Sequence, residues 1–349
     1  MIIVMQQKAG QAEIKHIKDL LADADLKAHI SEGTAVTIIG VVGDKSRLDL
    51  NSLAVQPGVD KLVPIMEGHK LAGKTFHPEP SVFTVGRAEF GGRRPVQMMG
   101  PCAVESYEQV RTVAQEGAAL GATVLRGGAY KPRTSPYSFQ GLGVEGLKIL
   151  RAVADEFNLV VISEITSEND LEEALNYLDI VQIGARNAQN FRLLSAVGKA
   201  GVPVMLKRGM SMTIDEWLGS AEYILNEGEY RVMLCERGIR TFETAYRSTL
   251  DIGAIPVLKE KTHLPVIVDP SHAAGKASLV APLARAAVAA GADGLIVEVH
   301  PDPPKALSDA AQQLTLAEYR ALVAQIEGML PFLETAPGLE TVPEQGERP

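Results

Sequence analysis

Between about residue 95 and residue 332 the chain alternates short apolar runs with longer amphipathic stretches, eight times over. The apolar runs are VQMMGPCA, TVLRGG, LVVISEIT, IVQIGA, PVMLKRG, YRVMLCERG, LPVIVDPS and GLIVEVHP. Runs this continuous suit strands buried on both faces, and such strands belong to parallel sheets. Between them lie SYEQVRTVAQEGAALG, VEGLKILRAVADEF, SENDLEEALNYL, AQNFRLLSAVGKAG, TIDEWLGSAEYILNEG, STLDIGAIPVLKEK and KASLVAPLARAAVAAG, and TLAEYRALVAQIEGML closes the series. Their amphipathic spacing, and the serine cap that opens SYEQVRTVAQEGAALG, predict helices. Strand then helix, eight times in this length, predicts a (β/α)₈ TIM barrel. An open doubly wound sheet fits less well, because no glycine-rich dinucleotide loop follows the first strand.

Residues 1–68 follow another pattern, β-α-β-β-α-β. MIIVMQ, LKAHIS, TAVTIIGVVG and VDKLVPI read as strands. AEIKHIKDLLADA, with Ile14, Ile17, Leu20 and Leu21 at helical spacing, and SRLDLNSLA read as helices. That order predicts a small ferredoxin-like βαββαβ domain ahead of the barrel. Residues 69–94, which include Pro78 and Pro80, are expected to be linker and barrel entry, and residues 95–332 the barrel. Residues 333–349, rich in Pro, Gly and Glu, are expected to be a disordered tail.

Charge narrows the partners. A net charge of −9 gives no general attraction for nucleic acid or an anionic membrane. Any anionic substrate must therefore be held by cations gathered in one cleft. Two cysteines make no disulfide framework, no secretory signal opens the chain, and no long apolar run suggests a membrane span. A cytoplasmic protein is expected.

In a barrel the chemistry collects at the C-terminal ends of the strands and in the loops that follow. Those positions hold Cys102, Glu105, Arg126, Lys131, Arg133, Thr134, Ser135, Glu164, Arg186, Lys207, Arg208, Glu236, Arg237, Asp269, Ser271, His272, Glu298, His300, Asp302 and Asp309. Two subsets stand out. Cys102, His272, Glu298 and Asp309 come from strands 1, 7 and 8, which become neighbours when a barrel closes. A mixed S, N and O set suits a first-row divalent ion such as Mn²⁺, Fe²⁺, Co²⁺ or Zn²⁺ better than Mg²⁺ or Ca²⁺. The plain alternative is a buried core thiol beside ordinary polar contacts, and spacing alone leaves both open. Arg126, Lys131, Arg186, Lys207, Arg208 and Arg237, with Arg133, form the second subset. So many cations would repel one another in a low-dielectric mouth unless anions were bound. They point to a substrate pair carrying phosphates and a carboxylate. Arg208, next to Lys207, is expected to face the other way. Cys235 is expected in the core, and Trp217 in packing rather than on substrate.

GPCAVES, LRGGAYKPRTSPYSFQGLG, IGARN, VMLKRG, CERGIRT, VDPSHAAG and VEVHPDP, in this order, resemble the 3-deoxy-D-arabino-heptulosonate 7-phosphate synthases. The likeness is to the short microbial form with an N-terminal ferredoxin-like regulatory domain, and it covers all but the tail. It implies a metal-dependent condensation of phosphoenolpyruvate with erythrose 4-phosphate, the first step of the shikimate pathway to aromatic amino acids, in a homotetramer. By that resemblance Cys102, His272, Glu298 and Asp309 would hold the metal, Mn²⁺ foremost. Arg126, Lys131, Arg186, Lys207 and Arg237 would hold phosphoenolpyruvate, and Arg133, Thr134 and Ser135 the aldose phosphate. Lys131, Cys102 and His272 would carry catalysis, with Lys131 supplying a proton to the aldehyde oxygen. The N-terminal domain supplies none of these groups, so feedback regulation is expected there, with tyrosine or phenylalanine as candidate effector.

Two other readings fit part of the pattern. One is the sister reaction of phosphoenolpyruvate with arabinose 5-phosphate, whose family typically has a KANRS-like segment where this chain has KPRTS. The other is a non-catalytic amino-acid sensor, which would need neither the cations nor the metal ligands.

Overall fold

The structure is a computed structural model and describes residues 1–33, 36–43, 48–63, 69–131, 135 and 137–334. The expected tail from residue 335 onward lies outside the described residues. The chain divides into two compact units: Met1–Pro80 with Lys261–His263, and Ser81–Glu260 with the chain from Leu264 onward.

The first unit runs β1 (Ile2–Met5), α1 (Gln11–Asp23), β2 (Lys27–Glu32), β3 (Thr37–Val42), α2 (Leu50–Ala54), β4 (Val59–Val63). Its antiparallel sheet has the order β2-β3-β1-β4, with Ile2 opposite both Gly40 and Val63. This is the expected ferredoxin-like arrangement. Ile14, Ile17 and Leu21 recur on one face of α1 and bury against Ile3, Met5, Ile39 and Val41 of the sheet. Residues 69–80 are packed rather than open. Leu71, Ala72 and Phe76 are buried, and the Phe76 ring lies over Gly40, where a Cβ would come within 2.3 Å of it. That close approach is why a residue without a side chain stands at Gly40.

The second unit opens with a hairpin, β5 (Phe83–Val85) and β6 (Ala88–Phe90), inside the stretch expected to be linker. The barrel strands follow: β7 (Val96–Gly100), β8 (Val124–Arg126), β9 (Val160–Ile165), β10 (Ile180–Ile183), β11 (Val204–Lys207), β12 (Val232–Glu236), β13 (Val266–Val268) and β14 (Gly294–Glu298). All eight pair in parallel, and β14 closes on β7. The helices are α3 (Tyr107–Ala119), α4 (Val144–Phe157), α5 (Leu171–Ala174), α6 (Phe191–Lys199), α7 (Ile214–Leu225), α8 (Ala254–Lys261), α9 (Pro270–Ala274), α10 (Ala277–Ala289) and α11 (Leu316–Glu334). The predicted TIM barrel is present. No described helix is long and apolar enough to cross a membrane.

The interior is one apolar stack. Val96, Met98, Val124, Val160, Ile162, Ile180, Met205, Met233, Cys235, Ile267 and Ile296 point into it, and Ala88 and Phe90 of the hairpin pack beneath. Phe83 stacks on Phe90 at 5.4 Å, so the hairpin plugs the N-terminal end of the barrel. Cys235 is thus core, as expected. Three helices differ from the sequence reading. α5 is a single turn, and α8 starts only at Ala254 because the chain before it doubles back through an Ile239–Thr249 bridge. α9 was unforeseen although its punctuation is legible: Asp269 caps it, Pro270 opens it, and Gly275 ends it in the left-handed conformation.

Candidate active site

Strand parity builds the site. Side chains alternate along a strand, so the residue two beyond an interior apolar residue also faces the barrel axis. Past Val124 comes Arg126, past Ile162 Glu164, past Ile180 Gln182, and past Met205 Lys207. Past Cys235 comes Arg237, past Ile267 Asp269, and past Ile296 Glu298. On β7 the same count runs from Met98 through Gly100 to Cys102. The odd neighbours point outward. Arg208 gives its guanidinium to Glu236 and Asp251, each at 2.9 Å, and sits over the buried Trp217 ring. The expectations for Arg208 and Trp217 hold for that reason.

Cys102, His272, Glu298 and Asp309 each offer a ligand atom, all within 4.8 Å of one another. Among the described residues no other such group of His, Cys, Asp and Glu occurs. Cys102 Sγ is 3.7 Å from Asp309 Oδ2, and His272 Nε2 is 3.4 Å from Glu298 Oε1 and 4.0 Å from Asp309 Oδ2. Four donors around one ion, with bonds of about 2.0–2.3 Å, would stand roughly 3.3–3.8 Å apart, so the set would close by no more than about 1 Å to hold a divalent ion. Asp309 reaches it from a left-handed backbone conformation, φ 46°, a strained choice for a residue with a side chain.

Each anionic ligand already faces a protein cation. Lys131 Nζ lies 3.1 Å from Cys102 Sγ, Arg126 donates to Glu298 at 2.8 Å, and Arg247 donates to Asp309 at 3.1 Å. Burial, with Glu298 beside it, pushes the Cys102 thiol up to about 11 against the pull of Lys131 and Arg126. Burial would also raise Glu298, but His272 in its protonated form, Arg126 and Lys131 hold it down to about 2. Burial depresses His272, which leaves its imidazole a neutral donor for an ion. Metal binding must then release the Cys102 proton.

His272 and Asp309 of the cluster line a cavity of about 290 Å³. Lys131, Arg186, Lys207, Arg237 and Arg247 line the rest, with Glu164 and Ser138. Five cations around so small a space imply polyanionic occupants. Gln182 donates to Glu164, whose carboxylate fills the space above Gly184, where a Cβ would come within 2.0 Å of it.

Residues 84–331 match the family model described as the DAHP synthetase I family, DAHP being 3-deoxy-D-arabino-heptulosonate 7-phosphate. The chain belongs to this family. Residues 1–67 match the DAHP synthase ferredoxin-like domain. A phospho-2-dehydro-3-deoxyheptonate aldolase of Thermotoga maritima is 48% identical over 327 residues, which span 94% of this chain and 97% of the relative. A crystal structure of the Thermotoga maritima DAHP synthase is similar with a TM-score of 0.76 at 47% identity, over 95% of this chain and 97% of that one. A 2-dehydro-3-deoxyphosphooctonate aldolase of Syntrophotalea carbinolica is 33% identical over 276 residues, 71% of this chain and 98% of the relative.

In this family member the structure gathers most residues singled out from sequence. Lys131, Arg186, Lys207 and Arg237 line the cavity, whereas Arg126 is buried against Glu298 and the Pro101 carbonyl. Arg133 and Thr134 lie outside the described residues. Ser135 is half-buried, its Oγ accepting from Tyr137 N at 3.4 Å. His300 pairs with Glu105 at 3.4 Å, and Asp302 with Lys305, away from the cavity. Sequence reasoning missed Arg247, Gln182 and Gln312. Parity past Ile180 could have found Gln182. Arg247 sits in a loop without periodicity and carried no signal.

Proposed function

We propose that this cavity joins phosphoenolpyruvate to D-erythrose 4-phosphate and water, giving DAHP and phosphate. The observation that carries the reading is the meeting of a four-donor metal cluster with five cations in one small cleft. Cys102, His272, Glu298 and Asp309 would hold a divalent ion, Mn²⁺ foremost and Fe²⁺, Co²⁺ or Zn²⁺ as alternatives, whose Lewis acidity would polarise a carbonyl oxygen.

The chain's own residues do the rest. Arg186, Lys207 and Arg237 grip the carboxylate and phosphate of phosphoenolpyruvate, with Arg126 holding Glu298 behind them. Arg133, Thr134 and Ser135 take the aldose phosphate. Lys131, beside Cys102 and facing the cleft, delivers a proton to the aldehyde oxygen as C3 of the enol adds to the aldehyde carbon. Water adds at C2, and phosphate leaves. Fixing both anions so that the two carbons meet can supply about 7–11 kcal/mol of the barrier.

The 33% identical relative makes the five-carbon aldose the sharpest competitor. Steady-state phosphate release should give a kcat/KM for erythrose 4-phosphate at least tenfold above that for arabinose 5-phosphate. A preference for the five-carbon sugar would reverse the assignment.

None of the first unit's described residues lines the cavity, which supports a role in regulation and assembly. Tyrosine or phenylalanine is its candidate effector, in a homotetramer. A thiol ligand that must stay reduced also suits a cytoplasmic enzyme. Since residues 69–80 belong to the first unit, the truncation to make removes residues 1–80. A truncated form of the Thermotoga maritima synthase, similar over 76% of this chain with a TM-score of 0.72, supports making it. Inhibition by an aromatic amino acid should occur in the full chain, a tetramer by light scattering, and vanish on truncation. Inhibition that survives truncation would end the regulatory reading.

A further inference from the structure

Asp269, at the end of β13, is 1% exposed, and its two carboxylate oxygens have separate tasks. Oδ1 accepts from the His272 backbone N–H at 2.9 Å and caps α9. Oδ2 accepts from Lys207 Nζ at 2.5 Å and from His272 Nδ1 at 2.7 Å. A neutral imidazole carries one N–H, and an acceptor at Nδ1 holds the proton there, leaving the lone pair on Nε2. Nε2 is the nitrogen that faces Glu298 and Asp309. Lys207 can only donate, so Oδ2 is kept as an acceptor for both partners.

We propose that Asp269 is a positioning residue that locks His272 in the tautomer able to ligate. One buried carboxylate then ties a metal ligand to a cation of the substrate cleft. The proposal rests on the ligand assignment made above for His272.

Asp269→Asn separates the two tasks. The amide oxygen keeps the helix cap, and the amide NH₂ then faces two donors, Lys207 and His272 Nδ1–H. The imidazole resolves the clash by moving its proton to Nε2, which takes the lone pair away from the cluster. Rotating the amide instead would set NH₂ against the His272 backbone N–H and lose the cap. Loss of such a partner to a ligating histidine weakens metal binding by roughly 10–100-fold.

The tautomer is read directly in metal-free protein by long-range ¹H–¹⁵N correlation with ¹⁵N-histidine. The chain has seven histidines, and the His272 signal is the one lost in His272→Gln. The parent should show Nδ1–H and Asp269→Asn should show Nε2–H, with Mn²⁺ affinity, measured against a chromogenic chelator, down 10–100-fold. Emission from Trp217, which donates to Leu206 O behind β11, should match in the two proteins, showing the barrel intact. If it does not, Asp269→Ser is the second arm, since serine also caps helices but has nothing in place of Oδ2. It should weaken Mn²⁺ in the same direction. A parent already in the Nε2–H form, or an unchanged tautomer in Asp269→Asn, overturns the proposal. A switched tautomer with undiminished Mn²⁺ affinity instead overturns the assignment of His272 as a ligand.

Discussion

Cys102→Ser is expected to leave the barrel folded, strip the ion, and lower turnover by about a thousandfold. Lewis-acid stabilisation by a bound metal is worth several kcal/mol, and each 1.36 kcal/mol is a factor of ten. Serine nearly preserves the shape of the site. Its hydroxyl can accept from Lys131 and meet Ser308 and Asp309, the groups that surround the thiol now. What it loses is ionisation. Burial already holds the Cys102 thiol up to about 11, and an alkoxide in that place is far harder to form. Elemental analysis should find well under one ion per chain, and the melting temperature of the metal-free protein should move little. Stoichiometric metal with near-normal turnover would remove Cys102 from the ligand set.

Lys131→Met should be nearly as damaging by a different route. Positioned proton transfer contributes about 10²–10⁴-fold, so kcat should fall within that range. The ion should stay, because Lys131 is not itself a ligand: among the described residues its hydrogen bonds to the cluster go to Cys102 Sγ and to the Cys102 carbonyl at 2.8 Å. The thiol would lose a cation that favours its ionised form, so turnover must be compared at saturating Mn²⁺. Lost kcat with one ion per chain separates the proton donor from the ligands. A kcat within about threefold of the parent would rule out Lys131 as the acid.

Much of the site was legible because a β-strand has a period of two. Once Met205, Ile267 and Ile296 are placed in the barrel interior, Lys207, Asp269 and Glu298 must face the cleft, and Arg208 must not. Chain order in a closed barrel made Cys102 and Glu298 neighbours, since β14 pairs with β7 with Glu298 opposite Gly100. What escaped was geometry that depends on loops. Arg247 reaches Asp309 and Gln312 from a segment with no repeating pattern. Arg126, though on a strand, has the charge for substrate but pairs with the buried Glu298 across the intervening β7, which strand parity does not foretell. Asp269 was noted only as a strand-end acid, because nothing in the sequence tells which oxygen meets Lys207 and which caps α9.

The most direct test follows phosphate release from phosphoenolpyruvate and erythrose 4-phosphate while Mn²⁺ is added back to metal-stripped enzyme. The account predicts no turnover at the start, a linear rise, and a plateau at one ion per chain. Full turnover in the stripped enzyme, or none at any metal ratio, would contradict it.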